Sequence, residues 1–153
     1  MVSIEYILLD ISCYTEESLR ALWHEHYVSK QIYTHDGIEV SFFDSNFDHA
    51  FFESSGRNVS KRNKLHKNIL SKQRLQRMLW IKDVLRDKNA KMVVGYDSKE
   101  RKYDKNKRVA IVKDNYVVVI QFCKKDRKHA IFITAYVADV SIEKILQSPS
   151  WEE

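Results

Sequence analysis

Over residues 71–87 apolar side chains fall every three to four positions, at Leu75, Met78, Ile81, Val84 and Leu85. At about 100° per residue they make one wide arc, with Lys72, Gln76 and Asp83 opposite. Ser71 suits an N-cap, strong helix formers follow it, and Lys88-Asn89 offers a stop, so the pattern predicts a single amphipathic helix over 71–87. Arg74 falls near the centre of the arc, and Arg77 inside it toward one side. A guanidinium is costly to bury unpaired. Arg74 must therefore meet a carboxylate, extend past the packing, or face a cleft built for an anion.

The rest of the chain divides by the same test. Residues 4–11 are short and apolar enough for a strand. Thr15 caps a helical pattern over residues 16–29 carried by Leu19, Leu22, Trp23, His26 and Tyr27. After the His35-Asp36-Gly37 turn signal, Ile38, Val40 and Phe42 alternate with polar residues as in a strand, and Asn46 can cap a short helix over 47–53. From Ala90 the pattern turns to β. Residues 91–96, 108–113, 116–123 and 130–136 are rich in Val, Ile, Phe and Tyr and read as four strands. The tight Lys113-Asp114-Asn115 turn and the basic turn at 124–128 make consecutive strands antiparallel neighbours. Residues 97–107 read as a polar connection and 141–147 as a short terminal helix capped by Ser141. Simple alternation along the last strand puts Phe132, Thr134 and Tyr136 on one face, with Ile131, Ile133 and Ala135 on the other.

Composition narrows the class. A chain of 153 residues with 44% hydrophobic and 12% aromatic content, three Gly and one Pro reads as one folded domain over 1–153: an accessory strand and helix at 1–36, a core at 37–137, and a terminal helix and tail at 138–153. The formal charge of +5 favours anionic partners, nucleic acid ahead of membrane. Cys13 and Cys123 have no metal or disulfide spacing. No apolar run approaches the roughly 20 residues of a membrane span, and the start does not resemble a signal peptide. The expected setting is the cytoplasm, with reduced thiols.

Candidate chemistry is sparse. His24 and His26 stand two apart, on different helix faces, unlike the paired histidines of a zinc helix, and no metal or other cofactor is expected. His49 sits among aromatics just beyond a strand end, either holding a backbone carbonyl or exchanging a proton. Arg57, Lys61, Arg62, Lys64 and Lys67 form a basic connection leading into the Arg74 helix. Lys99, Arg101, Lys102 and Arg108 form a second basic stretch. Each group is either solvated surface or a phosphate-gathering rim. Thr134 and Tyr136 could donate hydrogen bonds to a phosphate.

Three segments share a known pattern: Asp48-His49-Ala50-Phe51 after a strand, Ser71-Lys72-Gln73-Arg74-Leu75-Gln76-Arg77 running into Trp80-Ile81, and Phe132-Ile133-Thr134-Ala135-Tyr136. In order and spacing, across residues 38–137, they resemble phage-type nucleases of the barnase-EndoU-colicin-RelE-like superfamily. Leu75 and Leu70 stand where that pattern has alanine and phenylalanine. The resemblance implies an α+β fold in which N-terminal helices pack on a C-terminal four-stranded antiparallel sheet. It also implies a metal-independent endoribonuclease, a toxin or phage-related effector, with RNA as substrate and an antitoxin or immunity protein as a possible partner. The family's histidine falls on His49, its helix arginine on Arg74 with Arg77 as a second, and its strand hydroxyl on Thr134 with Tyr136 two places on. Cleaving RNA through its 2′-hydroxyl needs proton transfer and positive donors aimed at the phosphorane, and these side chains supply both. A non-catalytic RNA- or protein-binding module on the same scaffold is the alternative. A DNA-binding regulator fits less well, because no helix-turn-helix or zinc-finger pattern is present.

Overall fold

The computed structural model describes residues 6–54, 67–97, 102–103, 107–123, 128–138 and 142–147. A 3-10 turn, Ile11–Cys13, precedes helix α1 (Glu16–Trp23), which runs on into a π-helical turn at His24–Val28. Strands β1 (Ile32–Tyr33) and β2 (Glu39–Ser41) lead to α2 (Asn46–Ala50), β3 (Phe52–Ser54), β4 (Lys67–Leu70), α3 (Lys72–Gln76) and α4 (Trp80–Arg86). Then come β5 (Lys91–Val94), β6 (Tyr96–Asp97), β7 (Lys102–Tyr103), β8 (Arg108–Lys113), β9 (Tyr116–Phe122), β10 (His129–Val137) and α5 (Ile142–Leu146).

The main sheet has six strands in the order β1-β2-β10-β9-β8-β5, and it is mixed. This corrects the four-stranded antiparallel expectation. The four strands read from the sequence are antiparallel neighbours, but β2 adds in parallel to residues 129–131 of β10, and β1 pairs antiparallel with β2. A parallel neighbour needs a long crossover, here everything from α2 to β9, so the partner of a three-residue strand is set by tertiary contacts. Gly37, at φ +91, makes the β1–β2 turn, a conformation a side chain would strain.

Helices α1 to α4 cover one face of the sheet, yet they are short. The strand expected over 91–96 ends at Val94, and the connection expected over 97–107 supplies Asp97, Lys102 and Tyr103 to the β6–β7 pair. Three further elements differ. Residues 6–10 form no strand. The helix expected over 47–53 ends at Ala50, and Phe52 opens β3. The expected helix over 71–87 is broken at residues 77–79. At the break the Arg77, Met78 and Trp80 amides bond three residues back. The Tyr27 hydroxyl donates to Met78 O at 2.5 Å and accepts from Lys82 N at 3.2 Å, standing between the two groups a continuous helix would bond directly. The Tyr116 hydroxyl takes Arg77 O at 3.3 Å. A side chain inserted into the helical ladder is a known cause of such kinks. The apolar arc survives it, with Leu75, Met78, Ile81, Val84 and Leu85 all buried.

The core under these helices holds Trp23, its ring centroid 4.5 Å from Tyr27 and packed also on Phe42, Phe51 and Phe132. Residues on both sides of position 36 share it. The opposite face carries a smaller cluster, Val93, Ala110, Val112 and Val117, onto which Ile142 and Ile145 of α5 pack.

Candidate functional site

The seam between α2, α3 and β10 gathers part of the expected site. Because β2 pairs only with residues 129–131, the C-terminal half of β10 meets α2 and α3 instead of a strand. Asn46 Nδ2 donates to Phe132 O at 3.4 Å across that edge. On the other side of α2, Arg20 lies over the Phe47 ring and bonds Asp48 at 2.5 Å. Strand β4 then returns the chain beside β3, and Ser71 N bonds Phe51 O at 2.8 Å, which sets α3 next to the end of α2.

Among the described residues Arg74 is met by a carbonyl and a ring rather than by a carboxylate. Its Nη1 donates to Ala50 O at 3.1 Å, and its guanidinium carbon stands 6.0 Å from the Tyr136 ring centroid, within reach of a cation–π attraction. Burial pushes the Tyr136 phenol above its ordinary pKa, and the Arg74 charge opposes that rise. The phenol remains a protonated donor at neutral pH. His49 is exposed on α2, directly before the Ala50 that Arg74 grips. Arg77 turns elsewhere, donating to Gln73 O at 2.9 Å and lying over Trp80.

Strand β10 departs from simple alternation. A bulge between Phe132 and Thr134 shifts its register against β9: Phe132 pairs Ile120, but Thr134 pairs Val119. Phe132 and Ala135 therefore face the helical core, while Thr134 and Tyr136 face the opposite side. The expected sharing of one face by Phe132 and Thr134 is corrected by that single inserted residue.

On this second face Thr134 ends a cross-strand row running Val93, Ala110, Val119, Thr134. Above the row lies a pocket of about 480 Å³ floored by Val93, Ala110, Val119 and Ile133. Arg108, Thr134, Tyr136 and Lys144 supply its polar lining, and Ile145 of α5 walls it. Arg108 Nε donates to Gln121 Oε1 at 3.0 Å, its direct partner across β8 and β9, which orients the guanidinium. Gly95 closes the strand end against Arg108, where a Cβ would stand 2.7 Å from the Arg108 Cβ.

Of the described candidates, Arg108, Thr134 and Tyr136 line this pocket, whereas His49, Arg74 and Arg77 do not. Arg57, Lys61, Arg62, Lys64, Lys99 and Arg101 lie outside the described residues; Lys67 and Lys102 are described as strand backbone alone. Gln121 and Lys144 were not anticipated. A lone amide in the apolar run Tyr116–Phe122 was the available signal for Gln121, and a lysine beside the inward Ile145 was the signal for Lys144. Among the described residues no three His, Cys, Asp or Glu side chains gather to hold a metal ion, and no helix is long and apolar enough to cross a membrane. In comparisons with known proteins the chain matches no family model, no curated protein and no solved structure.

Proposed function

We propose that this protein is a metal-independent endoribonuclease acting in the cytoplasm as a toxin or phage-related effector, held in check by an inhibitor protein. The observation that carries the reading is the meeting of Arg74 with Tyr136 at the β10 edge, with Thr134 beside it on the same sheet face. Cleavage of RNA through its own 2′-hydroxyl builds charge on a pentacoordinate phosphorane. A guanidinium fork and two hydroxyl donors match that charge better than they match the ground-state diester. His49, exposed one residue from the Arg74 anchor, is the group that exchanges a proton. The products are a 2′,3′-cyclic phosphate and a free 5′-hydroxyl.

One observation favours a second reading, an RNA-binding module without chemistry: Arg74 already spends a donor on the Ala50 carbonyl, as a structural arginine would. Incubation with mixed cellular RNA in EDTA separates the two. Fragments ending in 2′,3′-cyclic phosphate are expected. RNA that is retained by the protein but stays intact would establish the binding module instead.

A further inference from the structure

We propose that the pocket on the second sheet face is a nucleotide subsite, holding one base of an RNA against its apolar floor and the phosphate of that nucleotide against Arg108 and Lys144. The proposal rests on the reading of the chain as an RNA-cleaving protein and adds the part of the substrate that this pocket takes. A volume of about 480 Å³ lies within the roughly 300–1,000 Å³ of small-molecule sites. Its floor is built from short side chains in one cross-strand row, Val93, Ala110 and Val119, an apolar sheet surface on which a planar ring can lie.

Charge selects among the ligands that would fit. Both ionised residues among the described lining are cations, and no carboxylate joins them. An uncharged apolar ligand would leave Arg108 and Lys144 unmatched, and a bare phosphate would leave the floor uncovered. A nucleotide uses both halves. The Arg108 guanidinium is held in orientation by Gln121, as a phosphate-binding fork requires. Thr134 and Tyr136 stand at the end of the floor nearest the Arg74 seam, so with one phosphate of the nucleotide on Arg108 and Lys144, its other phosphodiester leads toward that seam. The opposite wall is Ile145 of α5, and Lys91 Nζ tethers the end of this helix through Leu146 O at 3.3 Å. The short terminal helix, packed on the sheet beside the pocket, thereby gives a bound ring a side wall at Ile145.

The test uses the full chain with nucleoside 3′-monophosphates as probes and ribose 5-phosphate and inorganic phosphate as controls, by calorimetry and methyl NMR. Nucleotides are expected to bind at least about tenfold tighter than ribose 5-phosphate, moving the methyl signals of Val93, Val119 and Ile133. Lys144→Gln, on an exposed residue, should weaken nucleotide binding on the order of tenfold and flatten its salt dependence. Ala110→Leu should remove the advantage of nucleotide over ribose 5-phosphate by filling the floor. Equal affinity for nucleotide and ribose 5-phosphate, methyl shifts elsewhere, or indifference to Lys144→Gln would overturn the subsite. The two readings fail separately. Cleavage of RNA by a protein whose pocket ignores mononucleotides leaves the nuclease and removes the subsite. Mononucleotide binding in the pocket with no cleavage of any RNA leaves the subsite and removes the nuclease.

Discussion

On the proposed nuclease reading, different side-chain chemistry would divide the work between His49 and Arg74. An imidazole can both take up and give back a proton, so His49→Ala should slow cleavage by on the order of 10²- to 10⁴-fold while RNA affinity, read by fluorescence anisotropy, stays near that of the parent. If the folded variant cleaves as fast as the parent, His49 is not the proton carrier. Arg74→Lys should lose both rate and affinity, because an ammonium cannot make the two-pronged phosphate contact. It also loses the geometry that grips the Ala50 carbonyl, so a thermal melt must accompany the rate. A second residue-scale network sits at the far end of α4. Burial works against the charge on Asp87, but the Tyr6 hydroxyl at 2.6 Å, the Asn89 amide at 2.8 Å and Lys113 at 3.5 Å outweigh it and hold its carboxyl below the usual value. A lowered carboxylate pKa stabilises the fold above the ordinary value of 3.8, and that contribution is lost as pH falls through the folded value. Tyr6→Phe should therefore lower stability at neutral pH and shrink the difference in urea midpoint between pH 7 and pH 3.

At the scale of elements, the broken helix is the feature with the clearest physical cause. Removing the Tyr27 hydroxyl leaves Met78 O and Lys82 N to find new partners inside the core, so Tyr27→Phe should cost about 1–3 kcal/mol by urea unfolding. A neutral result would mean that the ladder closes over residues 77–79 and that packing alone does not impose the kink. The π-helical turn that carries Tyr27 also brings His26 Nδ1 to 3.0 Å from Lys82 Nζ. Burial first, and the Lys82 charge second, hold the His26 pKa below its ordinary 6.5. The unfolded chain then takes up the proton before the folded one, so stability should fall as pH drops below about 6.5 and level off below the folded value. Lys82→Met should reduce that fall, as read from melts across pH 5 to 8. The arc of Leu75, Met78, Ile81, Val84 and Leu85 was legible because one buried face forces a 3.6-residue period, and the break does not disturb it. The break itself was not legible. Its causes, Tyr27 and Tyr116, lie 51 and 39 residues away from the carbonyls they bind.

For the whole molecule, the proposed RNA binding should fall with salt, given the net charge of +5 and the basic stretches around Arg57–Lys67 and Lys99–Arg108. Replacing Lys61, Arg62 and Lys64 together should flatten the slope of log affinity against log salt, and an unchanged slope would return these residues to solvated surface. What local pattern decides about this protein is the set of four late strands with their antiparallel order, the buried faces of α1, α3 and α4, and a helix arginine that packing cannot absorb unaided. Each follows from side-chain period, turn chemistry or the cost of burying a charge, all properties of neighbours in the chain. What only the tertiary structure decides is the parallel addition of β2, the tyrosine hydroxyls in the helix ladder, and the bulge that turns Thr134 and Tyr136 away from Phe132. The pocket depends on that last feature. Alternation along a strand records which residues share a face only while the register holds, and the register of β10 is set by β9, not by its own sequence.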